Sequence, residues 1–304
     1  MFLFSCRAKQ MALPEGVRME TVAYKANGKD SLRMDIYTPS TDRLGSPRPV
    51  FIYSFGGAWA FGKRTDAKWL GHLAERGFVV VGIDYRLGMK DCLEKVDTTN
   101  FGRLYSRAID MGVEDLYDAT SYIVQNASRW NAAPDKIVVG GSSAGATNSI
   151  MAEYYRANSY DLSLGHLPAG FRYDGVVAFA GGIWKRGADE PSWQSRPCPF
   201  LICHGTEDPL VSYRHWTLST PPGFAAYGPG SYLEKFKETG ASYWHLSSEG
   251  SDHIVSGLLD FYTNEMFGPI ADMMECLFVR GEAMQVIEKD SMKRTFGDLF
   301  KRRR

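Results

Sequence analysis

Cysteine is scarce in this chain. Five residues among 304 (Cys6, Cys92, Cys198, Cys203 and Cys276) are too few and too scattered for a disulfide framework. None has the C-x-x-C spacing of a zinc site, so they read as free or buried thiols, and no metal is called for. Net charge is also absent: 35 basic residues balance 35 acidic ones. With no basic stripe interleaved with aromatics, nothing here attracts nucleic acid or an anionic membrane. Long apolar runs are missing as well. The N-terminal run Met1 to Phe4 is too short for a signal core or a membrane span. Phe4-Ser5-Cys6 faintly resembles the end of a lipoprotein signal, which would fit an export signal lost through a late start site; the plainer expectation is a frayed tail. Lys301 to Arg304 reads as a solvated terminus, and localisation stays open.

What is present is enough apolar and aromatic content (44% and 13%) to bury one large core. The expectation is a flexible tail over 1–16 and a single domain over 17–304. Patterning alternates strands with helices. Val17–Lys25 and Leu32–Thr38, joined by Asn27-Gly28-Lys29-Asp30, read as an edge hairpin. Continuous apolar runs follow at 49–55, 78–84, 136–140, 175–180, 199–204 and 243–247, as parallel strands covered on both faces require. Helical patterns fall at 67–76, 113–126, 144–156, 232–239 and 253–266. The predicted architecture is therefore α/β: an eight-stranded, mostly parallel sheet with helices on both faces and no large cap domain. Leu87–Met111 and Gly182–Arg196 break the rhythm after strand ends. They are the expected pocket walls.

The richest motif is Gly141-Ser142-Ser143-Ala144-Gly145, which leaves one strand pattern and opens a helix pattern. This is the context of a nucleophile elbow, in which flanking glycines permit close approach of strand and helix and Ser143 is exposed. A serine hydroxyl needs a histidine to take its proton and a carboxylate to hold that histidine. Of six histidines, His253 is favoured, because it follows the last predicted strand and a loop able to reach over the sheet. His72, His204 and His245 fit structural hydrogen bonds better, and His166 and His215 have no spacing that argues for a role. Asp208 in His204-Gly205-Thr206-Glu207-Asp208 is the chosen acid. Glu207 is its nearest rival, Asp252 lies beside the histidine but points apart from it, and an N-cap is the other use for Asp208. The order Ser143, Asp208, His253 decides for catalysis.

Acyl transfer also needs donors for the developing oxyanion, each worth about 100 to 1,000-fold in rate. Phe55-Gly56-Gly57-Ala58-Trp59 follows a predicted strand and offers the amides of Gly57 and Ala58; Ala144 offers a third. Trp59, Phe61, Tyr85 and Trp184, with Trp193, are candidate substrate contacts at the mouth, with plain packing as the competing role.

With the elbow, the Gly-Gly loop, Asp84-Tyr85-Arg86-Leu87 and His204-Gly205-Thr206-x-Asp208 in place, the chain resembles the α/β-hydrolase superfamily. Within it, the likeness is to esterases of the hormone-sensitive-lipase and carboxylesterase type, from about Met34 to Phe267. Relatives begin the oxyanion loop with His, where this chain has Phe55, and continue Asp-Tyr-Arg-Leu with Ala-Pro-Glu, where this chain has Gly88-Met89-Lys90. Asp84 and Arg86 read as a structural pair. The resemblance implies a cofactor-independent serine esterase acting on short-chain carboxylic esters, including acetyl or feruloyl esters of carbohydrates. The alternatives are a serine peptidase of the same fold and a non-catalytic binding scaffold. Oligomeric state is not legible.

Overall fold

In a computed structural model, residues 13–187, 189–220, 223–259 and 264–295 are described. Twelve strands are present among them: β1 Val17–Asn27, β2 Asp30–Pro39, β3 Arg48–Ser54, β4 Val79–Ile83, β5 Ala132–Ser142, β6 Gly175–Phe179, β7 Ile183–Arg186, β8 Phe200–Gly205, β9 His215–Leu218, β10 Phe224–Tyr227, β11 Tyr243–Ser248 and β12 Gln285–Asp290. The helices are α1 Leu70–Glu75, α2 Phe101–Gln125, α3 Ala144–Ala157, α4 Asp161–His166, α5 Pro229–Thr239 and α6 Asn264–Met274. Nine strands form one sheet in the order β1-β2-β4-β3-β5-β6-β8-β11-β12. β2 is antiparallel to β1 and β4, and the remaining pairs are parallel.

The apolar runs are the reason. β3, β4, β6 and β8 are buried along their whole length, the signature of strands covered by helices on both faces. The amphipathic β1 lies at the edge, half in solvent.

Several expectations change. The sheet has nine strands rather than eight, because β12 adds to β11 along an exposed edge. The irregular segment 87–111 ends in helix: α2 begins at Phe101, and Phe101, Leu104, Tyr105, Ala108 and Ile109 recur at helical spacing. Within 182–196, β7 pairs with β10, which pairs with β9, in a second, three-stranded sheet. The helix expected over 253–266 is a short 3₁₀ turn at His253–Gly257, and residues 260–263 lie outside the described residues. Of the expected tail 1–16, residues 1–12 also lie outside them, whereas the Val17 amide bonds back to the Pro14 carbonyl at 3.2 Å. Cys6 and Lys301–Arg304 lie outside them too.

The topology also fixes where chemistry can occur. From β3 the chain moves outward to β4, then returns to β5 on the other side of β3. Loops after β3 and β5 therefore part, leaving a crevice at the carboxyl ends of the strands.

Candidate active site

The elbow forms at the end of β5. Ser143 has φ 51° and ψ −115°, a conformation that L-residues avoid and that the surroundings must impose. Two glycines make it feasible. A Cβ on Gly145 would lie 2.0 Å from the Ser54 carbonyl oxygen, and one on Gly141 would lie 2.4 Å from the Gly145 carbonyl carbon. The Ser143 amide donates to the Phe179 carbonyl at 2.8 Å, pinning the turn to β6.

Three side chains from three strand ends meet here. His253 Nε2 lies 2.8 Å from Ser143 Oγ, and His253 Nδ1 lies 2.7 Å from Asp208 Oδ2. With the carboxylate as acceptor, Nδ1 carries the proton and Nε2 is left bare to accept from the serine hydroxyl. Asp208 Oδ1 accepts from the amides of Leu210 and Val211, each at 2.9 Å. Burial pushes the Asp208 carboxyl upward. The bonds from His253 and the Val211 amide, with the electrostatic pull of the His253 and His204 rings, outweigh it and hold the group below the usual carboxylate range. Glu207 is exposed and reaches toward Lys293 at 3.6 Å, while Asp252 caps the following turn by accepting from the Ile254 amide at 2.9 Å.

His204 supports the acid from beneath. Fully buried, it donates Nε2–H to the Val211 carbonyl at 2.8 Å, with the same nitrogen 3.5 Å from Asp208 Oδ2. Burial drives its pKa down, against the pull of Asp208, so the ring stays neutral. His245 sits between the Tyr213 hydroxyl and the Ile202 carbonyl, both at 3.3 Å, and burial lowers its pKa to about 3.

The loop after β3 is held in an unusual shape: Gly57, Ala58 and Trp59 all have positive φ (129°, 52° and 56°). The amides of Ala60 and Phe61 both bond the Gly57 carbonyl, at 2.9 and 3.0 Å. Gly57 and Ala58 line the same cavity as Ser143 and His253. Ala144 is buried at the first turn of α3, where amides have no partner within the helix. Phe55 occupies the place of the relatives' histidine and is fixed differently. Its ring stacks on Tyr85 (centroids 4.4 Å apart, planes 22° apart), and the Tyr85 hydroxyl donates to the Phe55 carbonyl at 2.9 Å. Burial raises the Tyr85 pKa far above that of a free phenol, so it remains a donor.

The cavity over Ser143 encloses about 410 Å³ and is walled by Tyr53, Phe55, Phe61, Asp66, Leu210 and Ser256, among others. Neither 87–111 nor 182–196 lines it, contrary to the sequence expectation. Of the four candidate aromatic contacts, Phe61 alone reaches the cavity, 47% exposed. Trp59, Tyr85 and Trp184 are buried, and Trp193 packs edge-on against Tyr154 and Phe236. Trp59 bonds α3 through Nε1 to Asn148 Oδ1 at 2.8 Å, and Trp184 joins Trp59, Phe101, Tyr105, Trp216 and Phe224 in one aromatic cluster. Packing won because these rings sit where α2 and the second sheet cover the core. Wall residues that sequence reading missed include Leu210, Asp66, Tyr53 and Ser256. Leu210 lies two residues after Asp208, which was the available signal.

Asp84 and Arg86 do not pair: Asp84 takes Arg64 at 2.6 Å, and Arg86 takes Asp115 at 2.9 Å. Among the described residues, one group could hold a metal by proximity: Glu114, Asp118 and His166. Lys25 Nζ already lies 2.7 Å from Glu114 and 2.6 Å from Asp118, and 2.8 Å from Asp115. That cation makes the cluster a tie between β1 and α2.

These features define a class. The chain has the α/β-hydrolase fold, and the proteins it resembles are esterases. The BD-FAE family model matches residues 34–183. Human "Cocaine esterase" is 34% identical over 125 residues, 40% of this chain and 20% of that protein. "Probable isoprenylcysteine alpha-carbonyl methylesterase ICMEL1" of Oryza sativa subsp. japonica is 36% identical over 115 residues, 38% and 23% respectively. The chain thus spans about a fifth to a quarter of the length of these relatives. Among solved structures, apo Thermogutta terrifontis esterase 2 superposes with a TM-score of 0.61 at 20% identity, covering 91% of this chain and 99% of that one. Esterase B from Lactobacillus rhamnosis gives 0.61 at 17%, covering 89% and 88%. At these identities the structural likeness speaks for the fold.

Proposed function

We propose that this protein is a serine ester hydrolase working through an acyl-enzyme. The observation that carries the reading is the continuous line Ser143 Oγ, His253 Nε2, His253 Nδ1, Asp208 Oδ2, with links of 2.8 and 2.7 Å. His253 takes the Ser143 proton as Oγ attacks the ester carbonyl, and Asp208 stabilises the imidazolium. The amides of Gly57, Ala58 and Ala144 receive the oxyanion. His253 then protonates the departing alcohol, and a water, deprotonated by the same histidine, releases the acid and regenerates Ser143. No cofactor enters the scheme.

A cavity of about 410 Å³ supports short acyl and compact alcohol arms. The names of the relatives, which concern methyl esters and cocaine, are in keeping with ester hydrolysis. The reading extends to acetyl and feruloyl esters of carbohydrates, which the same ester series can be widened to test. The test is hydrolysis of p-nitrophenyl esters from acetate to decanoate by wild type and Ser143→Ala. Short esters turned over by the wild type alone support the reading, and equal background rates overturn it. Fluorophosphonate labelling lost in His253→Ala but kept in His245→Ala would fix the base.

A further inference from the structure

Among the described residues, apart from His253, one ionisable side chain of unbalanced charge lines the cavity: Asp66. It lies in the short turn Arg64–Asp66 after the oxyanion loop, exposed to solvent. One oxygen, Oδ2, accepts from the Lys63 amide at 3.0 Å. Among the described residues Asp66 has no ion-pair partner. Among the neighbouring cations, Arg64 is committed to Asp35 at 2.9 Å and Asp84 at 2.6 Å, and Lys63 and Lys68 do not line the cavity. The wall beside it is aromatic, with Phe61 half open to the space.

Building on the hydrolase reading, we infer that Asp66 sets the charge preference of this site: it favours esters with a cationic arm, accepts neutral ones and rejects esters bearing a carboxylate, sulfonate or phosphate. The space is small. A sphere of about 410 Å³ is roughly 9 Å across, close to the screening length of about 8 Å at physiological salt, so an ionic group in it feels Asp66. An ammonium group there gains both the carboxylate and the face of Phe61, and an anion gains neither.

The experiment is competition against p-nitrophenyl acetate by three acetate esters of similar shape: acetylcholine, 3,3-dimethylbutyl acetate and 3-acetoxypropanesulfonate. In the wild type the cationic ester should inhibit about 3- to 10-fold more strongly than the neutral one, the anionic ester weaker by a similar factor, and rising salt should compress the series. Asp66→Asn, which keeps an oxygen for the Lys63 amide, should bring the three inhibition constants together; Asp66→Lys should invert their order and Asp66→Glu preserve it. Ratios are read, so a general loss of activity in a variant cancels. Equal constants in the wild type, or an order unchanged in Asp66→Lys, overturn the inference while leaving the hydrolase reading intact. Failure to turn over p-nitrophenyl acetate at all overturns both.

Discussion

The indole Nε1–H of Trp59 donates to Asn148 Oδ1 at 2.8 Å, so the loop after β3 is fastened to α3, the helix that begins just after Ser143. Trp59 itself has φ 56°, and its carbonyl accepts from the Met89 amide at 2.9 Å. Side chain and backbone together hold three successive positive-φ residues in place.

Trp59→Phe keeps most of the ring and removes the donor. The loop amides should lose alignment, lowering kcat about 10-fold with little change in KM, since the oxyanion exists only after attack. Steady-state kinetics on p-nitrophenyl acetate check this, with thermal unfolding to show that the fold persists.

Tyr85→Phe tests what stands in for the relatives' histidine. The Phe55 carbonyl loses a buried donor while stacking survives, so stability should fall by about 1–3 kcal/mol, with a smaller kcat defect than Trp59→Phe. Urea unfolding measures the first and kinetics the second.

Gly145→Ala should be severe. Its methyl would sit 2.0 Å from the Ser54 carbonyl oxygen, so strand and helix must part. A loss of about 2–4 kcal/mol and near-complete loss of activity are expected, read by denaturation and turnover.

Acidity acts through two sets of groups. His245 has a folded pKa lowered to about 3 from 6.5, and that of His204 is lowered too. The unfolded chain therefore binds more protons as pH falls below 6.5. The contribution of His245 is complete above that pH and drains away toward about 3, at up to about 1.4 kcal/mol per pH unit, and that of His204 falls in the same direction. Asp208, whose pKa is lowered, adds stability above the unfolded carboxyl value of about 3.9 and loses it as pH drops through its folded value. Urea midpoints from pH 8 to 3.5 should fall steadily below 6.5, and His245→Gln should flatten that fall.

Asp208→Asn keeps the size of the acid but offers His253 the wrong partner. Turnover should drop by about 10⁴, the order found when the same exchange is made in trypsin-like triads, and fluorophosphonate labelling should slow in parallel.

The readable parts of this protein were those dictated by local backbone geometry. Gly141 and Gly145 stand where no Cβ fits, and Gly57 stands where φ is 129°, so short motifs reported them. The hairpin β1–β2 was legible from Asn27-Gly28 and alternation. Direction of side chains was not. Trp59 and Trp184 are buried by the packing of α2 and the second sheet, and Tyr85 is buried against Phe55, which the sequence pattern does not report. β12 escaped notice because all its residues are exposed or nearly so, leaving no buried face to set a pattern. Asp66 was silent for the opposite reason: its neighbours Lys63 and Lys68 make the segment look like ordinary solvated surface.

Ser143 and His253 stand 110 residues apart in the chain, and the loop that holds Gly57 comes from a strand formed long before either. The reacting group is thus the product of closing several long stretches of chain onto one edge of the sheet, and no fragment shorter than about two thirds of the polypeptide contains all its parts. On the proposed function, turnover is a report on assembly. During synthesis or refolding it should be the last native property to arrive, after secondary structure and compaction, and during heating among the first to leave.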